Sequence, residues 1–122
     1  MGMHEARPMP LFVVALSEVL VAQDVAMMIG DLCPGARIVQ VRSAGDAVLL
    51  GRDAVIHTVF VQDSAARFAR SALGALLALS SARVVLVGQE ANDLARAKGW
   101  AVLPIPFCVQ DVATLISLSA DA

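Results

Sequence analysis

Short apolar runs alternate along this chain with stretches of helical spacing. Residues 11–16 form a continuous apolar run with β-branched Val13 and Val14, which reads as a buried strand. Ser17 stands where a cap belongs, and Glu18 falls in the first turn of a helix predicted over 19–32. Leu20, Val21, Met27, Met28 and Leu32 are its expected inner face; Gln23, Asp24 and Asp31 are its outer one. Cys33-Pro34-Gly35 stops it. Residues 36–42 alternate as a strand does, Ile38, Val39 and Val41 against Arg37, Gln40 and Arg42. Ser43-Ala44-Gly45 reads as a turn, and 46–52 as a short helix carrying Val48, Leu49 and Leu50. Residues 52–57 either finish that helix or begin the next strand.

Residues 58–61 are the next predicted strand, and they run into Gln62 and Asp63. Asp63-Ser64 caps a helix predicted over 65–79, with Phe68, Leu73, Leu76 and Leu77 facing inward. A fully apolar strand over 84–87 stops at Gly88. Asn92 caps a helix over 93–98, closed by Gly99. A last strand over 101–103 ends at Pro104-Ile105-Pro106, and Asp111 opens a helix that runs through Leu118. Strand and helix thus alternate five times with short loops. Right-handed crossovers and a parallel sheet with helices on both faces follow. Residues 1–10, with two prolines, read as a tail ahead of one domain over 11–122.

Composition sharpens this picture. Of 122 residues, 58% are hydrophobic and only 16% charged, and tyrosine is absent. A core of Ala, Val and Leu suits strands buried on both faces. It also leaves apolar residues over for a surface patch that meets a protein partner or a second copy of the chain. The net charge of −2 and the scatter of Arg and Lys predict no nucleic-acid binding. No apolar run reaches the roughly 18 residues of a membrane span. No basic stretch followed by an apolar one marks a secretory leader, so the chain reads as cytoplasmic.

Candidate chemistry is sparse. Cys33 and Cys108 have no metal-ligand spacing; a disulfide between them stays open on spacing alone, and they read as two buried free thiols. His57 reads as structural, because the only other histidine is His4 in the tail. No glycine-rich phosphate loop and no nucleophile–base pair is present, so neither enzymatic activity nor a metal or other cofactor is expected. Ligands in open α/β sheets gather at the carboxyl ends of strands, which directs attention to Gln62 and Asp63.

Three stretches resemble the receiver domain of bacterial two-component response regulators. Leu20-Val21-Ala22-Gln23-Asp24-Val25-Ala26, following a Val-Val strand, is similar to that family's first helix. Ser43-Ala44-Gly45-Asp46-Ala47-Val48 is similar to the start of its second, usually Ser-Gly-Glu-Glu-Ala-Leu. Ala95-Arg96-Ala97-Lys98-Gly99-Trp100-Ala101-Val102-Leu103-Pro104-Ile105-Pro106-Phe107 is similar to its fourth helix and fifth strand, where the family has Gly-Ala, an apolar pair and Lys-Pro-Phe. The resemblance implies a flavodoxin-like, doubly wound (βα)5 fold with five parallel strands in the order 2-1-3-4-5.

It also implies a chemistry that this chain lacks the residues to perform. Receivers are phosphorylated on an Asp at the end of the third strand. Two acids after the first strand hold Mg²⁺, a Thr or Ser ends the fourth, and a Lys precedes the Pro after the fifth. Carboxylate oxygens bind the hard cation, and cation and Lys together neutralise the phosphoryl oxygens. Here Ala15 and Leu16 stand where the acids belong, Gln62 at the acceptor, Gly88 at the hydroxyl and Ile105 at the Lys. Asp63 is the remaining candidate acceptor, one residue out of register, and a one-residue offset reverses a strand side chain. Moving it into register restores none of the other positions.

The expectation is therefore a degenerate, non-phosphorylatable receiver, a pseudo-receiver that acts through contacts with a kinase, a regulator, an output domain or its own copy. In receivers the fourth helix, fifth strand and fifth helix form the usual partner face; here the corresponding candidates are Trp100, Ile105, Val109 and Leu115, while Val102 and Phe107 read as core. The alternatives are an atypical phospho-receiver using Asp63 and a small-molecule module using Gln62 and Gly88 at the strand-end crevice.

Overall fold

The computed structural model describes residues 9–121. Residues 1–8 of the expected tail, His4 among them, and Ala122 lie outside the described residues. Five strands, β1 (Leu11–Ala15), β2 (Arg37–Val41), β3 (Thr58–Val61), β4 (Arg83–Val87) and β5 (Ala101–Leu103), alternate with helices α1 (Val19–Leu32), α2 (Ala44–Asp53), α3 (Ala65–Ala69), α4 (Ala72–Leu77), α5 (Asp93–Lys98) and α6 (Val109–Asp121). All strand pairs are parallel, in the order β2-β1-β3-β4-β5. This is the expected doubly wound, flavodoxin-like sheet.

Apart from Thr58 and Arg83 at the starts of β3 and β4, the three central strands are apolar because both their faces are covered. Alternation divides their side chains between two cores. Leu11, Val13 and Ala15 of β1 join Val59, Val61 and Leu86 on one face; Phe12 and Val14 join Phe60, Val85 and Val87 on the other. The first core is closed by Ala47 of α2, Phe68 of α3, Leu73 and Leu77 of α4 and Ala95 of α5. The second is closed by α1 and α6 through Ala22, Val25, Ile29 and Val112.

The expected inner face of α1 needs correcting. Its buried stripe is Ala22, Val25 and Ile29, with Val21 and Met28 packed at the edge. Leu20 is 76% and Met27 67% exposed, and Leu32 is also exposed. At about 100° per residue, Leu20 and Met27 fall on the side opposite that stripe. The larger apolar residues point outward, while small Ala22 lets the helix approach the sheet. Ser17 does not cap α1 either. Glu18 is the N-cap residue, in extended conformation and without a side-chain capping bond.

The single helix predicted over 65–79 is two. Ser71 accepts a hydrogen bond from the Gly74 N–H at 2.9 Å and caps α4, while its hydroxyl donates to the Phe68 carbonyl at 2.7 Å. A serine side chain that offers the backbone such partners ends one helix and starts another. Gly74 lets the two segments meet closely, since a Cβ there would run into the Phe68 carbonyl oxygen. Two further boundaries shift. Ser43 caps α2, accepting from the Asp46 N–H at 3.2 Å, so the expected turn at 43–45 is the cap and first turn of the helix. Helix α6 begins at Val109, and Asp111 sits in its first turn, where its carboxylate accepts from the Cys108 N–H at 2.8 Å. That is the backward half of a capping box. The thiols are both free, but Cys33 is half-buried and Cys108 exposed, so they are not a buried pair.

His57 ties the amino-terminal edge of the sheet together. Its N–H donates to the Leu11 carbonyl at 2.8 Å, and its carbonyl accepts from the Arg83 N–H at 2.9 Å. Its Nδ1 lies 2.8 Å from the Thr58 hydroxyl, and its ring sits 5.1 Å from that of Phe12. Burial, reinforced by the nearby Arg83 charge, holds the imidazole pKa below its ordinary value of 6.5. The folded state therefore favours the neutral ring, and unfolding takes up a proton as pH falls below the ordinary value.

Two outcomes follow from this packing. Thermal stability should lose a component as pH falls through the region below about 6.5, and His57→Gln should flatten that part of a melting-temperature profile. Gly74→Ala should cost about 1–3 kcal/mol in urea unfolding, as overpacking against a fixed carbonyl does.

Candidate functional site

Parallel pairing brings the carboxyl ends of all five strands to one edge. The β1–β3 register pairs Ala15 with Val61, so the next residues, Leu16 and Gln62, follow side by side. Leu16 is only 3% exposed and continues the row of Phe12 and Val14 into the second core. Its place at the edge is thus sealed by a hydrocarbon. Gln62 continues the row of Thr58 and Phe60 but is exposed, and its amide donates to the Glu18 carboxylate across 3.4 Å. That bond is long and solvated, and its contribution is small.

Gly88 ends β4 at φ 78°, and its N–H donates to the Leu103 carbonyl at 2.8 Å. A Cβ placed there would lie 3.5 Å from Ile105 Cδ1 and 3.8 Å from Gln62 Nε2. Gln62, Gly88 and Ile105 therefore converge on one point, with Glu18 beside Gln62. Ile105, 47% exposed, sits between Pro104 and Pro106, the bond to Pro106 being cis. The cluster presents an amide, one carboxylate, a bare backbone and an aliphatic chain. Among the described residues, no three His, Cys, Asp or Glu side chains gather as metal ligands would.

Asp63 belongs to the other side of the sheet, in line with Val59 and Val61. Its Oδ1 accepts from the Ser64 N–H at 2.9 Å, and Arg67 lies 4.0 Å away. The capping residue of α3 is Ser64, which accepts from the Arg67 N–H at 3.2 Å; Asp63 braces the residue before the helix. Asp63 also lines a crevice of about 220 Å³ with Ser17, Arg42 and Ser43, at the place between β1 and β3 where the strand order reverses.

The four residues expected on one partner face are not together. Trp100 packs edge-on to Phe68, centroids 5.0 Å apart at 85°, against the first core, while Leu115 packs on the second. Period-two alternation along β5 is the reason: Trp100 and Val102 turn one way, Ala101 and Leu103 the other. Ile105 and Val109 are exposed at 47% and 49%, and Leu94 at 36%. Val102 and Phe107 are half-buried against opposite cores. The Glu18–Gln62 contact was not anticipated; adjacency of the first and third strands was the signal that could have found it.

No family model matches the sequence, and no curated protein does. The solved structures do. A LuxR family DNA-binding response regulator from Silicibacter pomeroyi superposes with a TM-score of 0.76 at 17% identity, covering 93% of each chain. The chemotaxis response regulator CheY4 of Vibrio cholerae gives 0.71 at 10% identity, covering 92% of this chain and 99% of that one. The receiver domain of the Saccharomyces cerevisiae response regulator Ssk1, crystallised with the histidine phosphotransfer signalling protein Ypd1, gives 0.69 at 9% identity over 93% and 90%. The fold is that of the receiver domains of two-component signalling proteins. Among the described residues, no helix is long and apolar enough to cross a membrane.

The edge as it stands offers a divalent cation one carboxylate, too few for a hard ion that takes oxygen ligands in number. Millimolar Mn²⁺ should leave the melting temperature of the parent protein unchanged. Gln62→Asp, which sets a second carboxylate beside Glu18, should make that temperature rise with added Mn²⁺.

Proposed function

We propose that this chain is a receiver-like signalling domain that takes no phosphoryl group by the usual receiver route and works through contacts with other proteins. The observation that carries this reading is Gln62, placed at the β3 end beside Leu16 and facing Gly88 and Ile105. An amide oxygen forms no acyl phosphate. The neighbours that would hold Mg²⁺ and neutralise a phosphoryl group are, at these positions, a buried aliphatic, a glycine and a second aliphatic.

Asp63 is the alternative acceptor. Its carboxylate is engaged by the Ser64 N–H, and it follows the opposite row of β3 from Gln62. Both features support a structural role at the start of α3. The small-molecule alternative would use the crevice that Asp63 lines.

For partners, the exposed aliphatics near the strand ends, Ile105, Val109 and Leu94, favour a protein surface. A protein of the same fold, Ssk1, has been crystallised with its phosphotransfer partner Ypd1. A kinase, a regulator, an output domain or a second copy of the chain all present surfaces of the required kind.

Incubation with acetyl phosphate and Mg²⁺, followed by intact mass spectrometry, should show no acid-labile phosphoryl adduct. The parent and Asp63→Asn should be indistinguishable. A stoichiometric, hydroxylamine-sensitive adduct in the parent that disappears in Asp63→Asn would overturn the reading in favour of an atypical phospho-receiver.

A further inference from the structure

A second and larger cavity lies away from the strand ends, on the flank of the sheet covered by α3, α4 and α5. It holds about 390 Å³. That is within the range of about 300–1,000 Å³ in which small-molecule sites fall. Phe68, Leu77 and Val84 form its floor but are buried and offer it little surface; the apolar side chains that face it more openly are Trp100 and the alanines Ala75 and Ala78. The space exists for two sequence reasons. The break at Arg70 and Ser71 shortens the helices that would otherwise cover this flank. The residues along the near side are Ala75, Ala78 and Ala82, which fill little volume.

The charges in the lining are of one sign. Arg83 and Lys98 contribute to it, Ser80 adds a hydroxyl, and no carboxylate does. Lys98 makes no ion pair or side-chain hydrogen bond among the described residues. In a protein of net charge −2, a wall with two cations and no acid is a local reversal of sign. One half-buried aromatic ring among small side chains, in a mostly polar groove with a cationic rim, suits a flat body that carries one anionic group: the ring packs against Trp100 and the anion meets the ammonium or guanidinium.

We propose that this cavity is a binding site for a small aromatic carboxylate. The site is independent of the strand-end reading, since it shares neither Gln62 nor Asp63 with it. Recognition rests on shape and on one charge-assisted contact, so affinity should depend on the carboxylate and on Lys98, and should vanish when the space is filled.

The test uses 1-naphthoate and its uncharged amide, followed by titration calorimetry and by amide shifts in ¹⁵N-labelled protein. One saturable site is expected for naphthoate, with shifts centred on Gly74, Gly99 and the indole of Trp100, the sole tryptophan. The amide should bind about tenfold more weakly, as should naphthoate to Lys98→Gln, the scale of one lost hydrogen bond to a charged group. Ala78→Leu should abolish binding; Ala78 is solvent-exposed on α4's end, where leucine is well tolerated, and an unchanged urea transition would verify the fold. Four results would each overturn the proposal: no saturable binding, equal affinity for acid and amide, full affinity in Ala78→Leu, or shifts at Ser17, Ser43 and Asp63 instead. Concentration-dependent shifts at the cavity without added naphthoate would also overturn it, since a second copy would then be the occupant.

Discussion

Burial of β1, β3 and β4 on both faces is the constraint on which the remaining structure depends. Each residue in these strands must serve one core or the other, and a one-residue slip would exchange the two sets. Phe12, Val14 and Phe60 thus require α1 and α6, and Leu11, Val13, Val59 and Val61 require α2 to α5. Register is held more firmly here than in a half-exposed sheet. The strand-end residues inherit it: Leu16 is directed inward by the row that begins at Phe12, and Gln62 by the row of Thr58 and Phe60.

The same period separates the chemistry of neighbouring residues. Gln62 and Asp63 are adjacent in sequence, yet one meets Glu18 over the second core and the other braces α3 over the first. A carboxylate one residue along from Gln62 is thus far from equivalent to one at it. Trp100 and Leu115 are divided in the same way, by the pleat of β5 and the helix that follows it.

All five strands and the span of α1 were legible from apolar runs and turn residues, because two-sided burial writes itself as runs of Val, Leu and Phe; the order of the strands followed only from the resemblance to receiver domains. The orientation of α1 was not. Leu20, Val21, Met27 and Met28 supplied a plausible stripe, and tertiary packing chose the smaller Ala22 with Val25 and Ile29 instead. The break at Ser71 was also hidden, since Ala, Arg and Phe before it and Ala and Leu after it continue a helical pattern and only the serine's bonds to Phe68 and Gly74 interrupt it. Of the strand-end site, residue identities were readable; the convergence of Gln62 and Ile105 on Gly88 needed coordinates, because it depends on a loop with two prolines.

Gly88 has a further consequence, for the routes by which this sequence can change. With φ at 78°, the fourth strand ends in a conformation that costs any residue bearing a Cβ about 1–3 kcal/mol. A hydroxyl side chain at this position therefore carries backbone strain, although the space beside Ile105 would admit its Cβ in ordinary contact. The turn after β4 thus fixes a bare stretch of backbone at the strand-end edge, between the Ile105 side chain and the Gln62 amide.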